Sequence, residues 1–168
     1  MGIKAQDILV LLKIVAMENR PWKQSDLADA LGISRAEVSN SLNRSASVGF
    51  LDSERNLQLS ALFEFIQYGL KYVFPATPGP ICRGIATSHS AHLIAEKLIV
   101  NKDDVYVWPS SEGDARGQSI EPLYHSVPLA IKNDPKLYEL LVLVDACRVG
   151  RVREQKIAID ELKKRLKA

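Results

Sequence analysis

With 168 residues, 46% of them hydrophobic and 25% charged, the chain has an ordinary globular composition and length for one domain with an extension or two small ones. Its formal net charge of +2 assigns no partner. Two cysteines, Cys82 and Cys147, are too few for a disulfide framework.

Residues 8–17, ILVLLKIVAM, are apolar almost throughout. Their flanks do not suit a secretory signal: Asp7 precedes the run, Lys13 interrupts it, and Glu18-Asn19-Arg20 follows where a small-residue cleavage site belongs. The run is also far short of the ~20 residues a membrane helix needs. A cytoplasmic protein without a membrane segment is expected. The run is expected to form a helix buried on two sides, one covering the elements that follow. The C-terminal helices or a second copy of the chain would cover the other.

Two helices and a turn follow in QSDLADALGISRAEVSNSLNRS, residues 24–45. Leu27, Ala28 and Leu31 form one apolar stripe, and Gly32 can take the left-handed conformation that ends a helix. Ser34 and Glu37 have the spacing of a capping box, with the Ser34 hydroxyl on the Glu37 amide and the Glu37 carboxylate reaching back to the Ser34 amide. In the second helix Val38, Leu42 and Ser45 share an inward face. The opposite face carries Ala36, Asn40, Asn43 and Ser47, flanked by Ser39 and Arg44, with amides, hydroxyls and a guanidinium that can bond base edges or phosphates. The same face would also serve simply as a solvated surface. Residues 49–59 then alternate about a polar tip, Asp52-Ser53-Glu54-Arg55-Asn56, which predicts a β-hairpin.

The order Gln24, Ala28, Gly32, Val38, Leu42 resembles the helix-turn-helix pattern of bacterial regulators, and residues 5–60 as a whole resemble the winged helix-turn-helix of MarR-type transcription regulators. The resemblance implies binding to double-stranded DNA by a dimer. It assigns Ser34, Arg35, Ala36, Ser39, Asn40, Asn43 and Arg44 to the recognition helix and its entry, and Arg55 to the hairpin tip on the backbone or minor groove. Residues 1–60 carry seven Lys/Arg against seven Asp/Glu, so phosphate affinity must come from local placement of Lys23, Arg35, Arg44 and Arg55.

Ser60 is expected to cap a further helix, ALFEFIQYGLKYVF, with Leu62, Phe63, Ile66 and Leu70 to the core. Pro75, Pro78 and Pro80 end it and mark a boundary between a DNA-binding region, 5–73, and a C-terminal region, 81–168. Past ICRGIATSHSAH, the spacing of Ala91, Ile94, Ala95 and Leu98 predicts an amphipathic helix. Val105–Trp108 predicts a strand, and Pro109–Gly117 a loop returning to a second extended piece. Arg83-Gly84 and Arg116-Gly117 each set an arginine beside a residue without a side chain, suiting either a ligand or partner site or the bracing of long loops. Cys82, His89 and His92 have a suggestive spacing but no fourth ligand at a usual interval, so no metal is expected. No P-loop or nucleophile elbow occurs, and no catalytic residue or cofactor is assigned.

Asn133 or Asp134 can cap a helix starting at Pro135, with Leu137, Leu140, Leu141, Val144 and Ala146 on its apolar face. Gly150 ends it, and a last helix carries Val152, Ile159, Leu162 and Leu166. Arg148, Arg151 and Arg153 cluster near its start as candidate ligand- or partner-binding residues. The expected fold is mainly α with small β: an N-terminal winged helix-turn-helix domain followed by an α/β C-terminal region ending in two helices. The expected function is a sequence-specific transcription regulator, a dimeric repressor paired through residues 8–17 and 150–166. Winged-helix repressors with an appended domain also resemble antitoxins that repress their own operon and neutralise a partner protein. An enzyme using the central loops is the third alternative.

Overall fold

The computed structural model describes residues 2–99 and 103–167. Among them the chain is mainly helical with one small three-stranded sheet. The first helix, α1 (Ala5–Ala16), starts where the Asp7 carboxylate accepts the Lys4 amide at 2.7 Å, satisfying one of the donors a helix start leaves open. Ile8 to Leu12 are fully buried. α1 packs on α2 (Gln24–Leu31) and α3 (Arg35–Ser47), and also on α8 (Pro135–Val149).

The two-sided burial expected of the 8–17 run is therefore present, and the C-terminal helices supply its second side. This corrects the expected dimer surface, because the apolar residues of α1 are already covered within one chain. The last helix, α9 (Val152–Leu166), likewise buries Ala158, Leu162 and Leu166 against its neighbours, while Val152 lies off this stripe and is exposed.

The helix expected from Ser60 divides at Gly69 into α4 (Leu59–Tyr68) and a single turn, α5 (Leu70–Val73). Leu62, Ile66 and Leu70 are buried as expected, whereas Tyr68 and Tyr72 are exposed. The proline-containing stretch after α5 is non-helical, and the hydrophobic core is continuous across it, from α1 and α4 to α8 and α9.

Residues 81–86 form a strand, β1 (Ile81–Ala86), which the sequence reading missed. The helix expected over 91–98 shrinks to one turn, α6 (His92–Ala95). β1 runs antiparallel to both β2 (Tyr106–Pro109) and β3 (Ala115–Ser119), which are parallel to each other, so the three strands close on themselves. Closure this tight leaves no room for side chains at two positions. A Cβ on Gly84 would lie 2.0 Å from the Trp108 carbonyl oxygen, and one on Gly117 would lie 2.3 Å from that of Val105. The glycines of both Arg-Gly pairs are thus needed for strand packing. A short helix, α7 (Val127–Ala130), links the sheet to α8 and touches the turn after α2.

Asp134 caps α8 as expected, accepting the Leu137 amide at 3.0 Å. Inside α9, buried Glu161 accepts hydrogen bonds from Lys97 (2.5 Å), Arg165 (2.6 Å) and Lys164 (3.0 Å), which hold its pKa down to about 2 from an ordinary 4.5. A carboxyl depressed on folding adds stability above its unfolded pKa and loses it as pH falls through the folded one. The unfolding free energy should therefore decline between pH 4.5 and 2, and Glu161→Gln should flatten that decline in urea titrations. An equally steep loss in the variant would remove Glu161 as its source.

Candidate nucleic-acid interface

Gly32 ends α2 in the left-handed conformation, φ 65°, donating its amide to Ala28 O. Leu129 of α7 stands 3.0 Å from where a Gly32 Cβ would be, so the turn is confined on its outer side as well. Ser34 caps α3 as expected: its hydroxyl accepts the Glu37 amide at 3.1 Å. The other half of the capping box does not form. Glu37 instead accepts from Gln6 Nε2 at 2.7 Å, tying the start of α3 to α1.

Along α3, Val38, Ser41, Leu42 and Ser45 are buried. Arg35, Ala36, Asn40, Asn43 and Ser47 are exposed and Ser39 is half-buried. Ala36, Asn40, Asn43 and Ser47 thus share one outward face at helical spacing.

Arg44 is a correction. Its side chain turns inward and is almost fully buried, with Nε 2.9 Å from Asp7 Oδ2 and Nη2 2.7 Å from Asp7 Oδ1. The hydrogen bonds it donates to Asp7 raise the Arg44 pKa above its ordinary value, and this bidentate pair is a strut between α1 and α3. Arg44 has no access to DNA. The signal for it was available: Asp7 directly precedes a run that must be buried, and a buried carboxylate requires a cation from a facing element.

The hairpin after α3 is short, with one bridge, Leu51 to Leu57. Its tip is organised by Asp52, whose carboxylate accepts the amides of Glu54 and Asn56, both at 2.9 Å. Those bonds, backbone and side chain from Asn56 first, lower the Asp52 pKa. The turn leaves Arg55 in the left-handed region, φ 67°, and aims its guanidinium at the helix: Nη2 donates to Asn43 Oδ1 at 2.6 Å. Hairpin tip and outward helix face therefore form one polar surface. Asn43 spends its carbonyl on Arg55 and keeps its amide N–H groups for another acceptor. Behind the hairpin, a groove of about 720 Å³ brings Arg20, Trp22, Arg165 and Lys167 beside Arg55. Arg20 and Lys167 enter only through tertiary packing, and no sequence spacing marks them.

The C-terminal candidates divide differently from expectation. Arg148 is buried and is not available to a partner. It bonds Asp145 Oδ1 at 3.0 Å, the Glu121 carbonyl at 2.7 Å and the Phe74 carbonyl at 3.3 Å. Asp145, also buried, further accepts from Trp108 Nε1 at 2.6 Å and Thr87 Oγ1 at 2.8 Å. This polar hub fastens the sheet and the 74–121 connections to α8, and the spacing of its members gave no hint of it. Arg151 is exposed but paired with Asp104 (2.7 Å) and Glu154 (3.3 Å). Arg153, Arg83 and Arg116 are exposed.

Of the metal-like triplet, the His89 ring is buried and its Nε2 lies 2.6 Å from the Asp104 carbonyl, while His92 is exposed and lies against Glu96. Among the described residues no three His, Cys, Asp or Glu side chains converge as a metal site would require. No described helix is long and apolar enough to cross a membrane. No protein-family model, curated protein or solved structure matches the chain.

Proposed function

We propose that the chain is a sequence-specific double-stranded-DNA-binding transcription regulator, with α2, α3 and the hairpin acting as a winged helix-turn-helix of MarR type. The observation that carries this reading is the polar surface of Ala36, Asn40, Asn43 and Ser47 joined to Arg55 by the 2.6 Å bond. Asn40 and Asn43 offer amide groups one turn apart, the chemistry that reads adenine in a major groove, while Ser34, Arg35, Ser39 and Arg55 would hold phosphates.

With Arg44 committed to Asp7, Lys23, Arg35 and Arg55 are the cations this surface retains. Their combined contribution to the salt dependence is about 2.7 per chain, modest for a DNA-binding protein. Such a surface depends on base contacts more than on charge. The alternative of an antitoxin gripping a partner protein through its basic cluster loses Arg148, buried on Asp145, and has Arg151 already paired. Pairing of two copies on a two-fold operator would use surfaces other than the buried residues of α1.

Selection from a pool of random duplexes tests the reading. A shared sequence of several base pairs should be enriched and bound about 10³-fold or more above random DNA. Recovery of unrelated sequences with equal affinity would overturn sequence-specific regulation.

A further inference from the structure

Arg83 and Arg116 lie outside the surface just described, yet the sheet places them opposite each other. They are register partners on antiparallel β1 and β3. The Ser119 amide bonds the Pro80 carbonyl, so bonded pairs recur at 80–119, 82–117 and 84–115. That leaves 83–116 a non-bonded pair, the kind whose Cα atoms stand about 4.5 Å apart with side chains adjacent. Like charges directly opposed weaken a sheet unless something meets them. Both arginines are exposed, and neither is ion-paired to a carboxylate among the described residues.

The pair is also held in place. Arg83 Nε donates to the Gly113 carbonyl at 2.6 Å, leaving both terminal nitrogens for another acceptor. The strands cannot splay, because they close on themselves with Gly84 directly against the Trp108 carbonyl. Nearby Glu112 is occupied by Lys132 at 3.2 Å.

We propose that Arg83 and Arg116 form a phosphate-binding clamp. Two forked guanidiniums side by side match a phosphoryl group, which offers more charge and more acceptor oxygens than a single carboxylate. The phosphoryl group belongs either to a nucleic-acid backbone or to a free phosphorylated small molecule. Contacts lead from the clamp toward the helix-turn-helix: Gly113 adjoins Glu112, Glu112 pairs with Lys132 just past α7, and Leu129 of α7 abuts the Gly32 turn. The clamp itself does not depend on the DNA reading.

The test uses the full chain, Arg116→Gln and Arg83→Gln/Arg116→Gln. Pyrophosphate and malonate are titrated while the arginine Nε–H NMR signals are followed, and duplex DNA binding is measured from 50 to 200 mM salt. Pyrophosphate should bind saturably and more tightly than malonate, and both variants should weaken it tenfold or more. The Arg116 side chain makes no hydrogen bond among the described residues and stands opposite Arg83, so Arg116→Gln should keep at least the wild-type thermal midpoint. If the DNA backbone is the source, the salt slope falls by about 0.9 per arginine removed. If a free phosphorylated ligand is the source, the slope is unchanged while pyrophosphate binding is lost. Absence of saturable pyrophosphate binding together with an unchanged slope overturns the clamp, as does malonate binding equally well. A wild type that binds no DNA but does bind pyrophosphate would defeat the proposed function alone.

Discussion

Replacing Arg44 with leucine should lower the unfolding free energy by about 3–5 kcal/mol, because it leaves the Asp7 carboxylate buried without its cation. In a chain of this size that corresponds to a fall of roughly 10 °C in thermal midpoint, since 1 kcal/mol is about 2–4 °C. The paired replacement Asp7→Leu/Arg44→Leu should recover most of the loss, as buried ion pairs exchanged for apolar side chains commonly do. It should stop about 1 kcal/mol short, because Asp7 also accepts the Lys4 amide at the start of α1. The recovered double variant should bind DNA like the wild type. Urea denaturation of the three proteins checks this, and a single variant within 1 kcal/mol of wild type would contradict the strut.

The second large effect is expected at Asp145. Asp145→Ala removes the acceptor shared by Trp108, Thr87 and Arg148, leaving two buried neutral donors unsatisfied and a buried guanidinium without its carboxylate, held only by the Glu121 and Phe74 carbonyls. At about 1–3 kcal/mol for each unsatisfied group, the loss should reach roughly 4 kcal/mol or more. With Trp22 replaced by phenylalanine, Trp108 reports the event: its emission should shift to longer wavelength as the sheet loosens from α8. Asp145→Asn, which keeps one carbonyl acceptor, should fall between. Unchanged stability and unchanged Trp108 emission in Asp145→Ala would show that the hub holds nothing together.

What could be read from sequence and what could not divide along the range of the interactions. Gly32, the Ser34 cap, the inward stripe of α3 and the Asp134 cap depend on residues within a turn or two of each other, and each stands where local spacing put it. Arg44 was misplaced because it sits at the edge of its helix, and only the identity of the residue across the interface, 37 positions earlier, decides which way it turns. β1 was missed for a similar reason. Its glycine and arginine weaken the local strand signal, and the strand exists because Gly84 and Gly117 let three segments close on one another. The aromatic residues of α4 and α5 divide in the same way: Phe65 turns to Phe50 and Phe74 while Tyr68 and Tyr72 face solvent, a choice that helical spacing alone does not make.

The arrangement of Asn43 under Arg55 also changes what a substitution there would mean. Asn43→Ala would remove a candidate base contact and release Arg55 from its anchor on α3 at once, confounding base reading with loss of a phosphate contact. Asn40, one turn earlier and exposed, is the cleaner probe. The measurement that tests DNA reading most directly is therefore the affinity of wild type and Asn40→Ala for the selected duplex and for a scrambled duplex of equal length. The account predicts that Asn40→Ala lowers affinity for the selected duplex tenfold or more, the equivalent of a bidentate amide contact of about 1–3 kcal/mol. Affinity for the scrambled duplex and the thermal midpoint should stay as in wild type. Equal affinity of the two proteins for the selected duplex would contradict the assignment of α3 to the major groove.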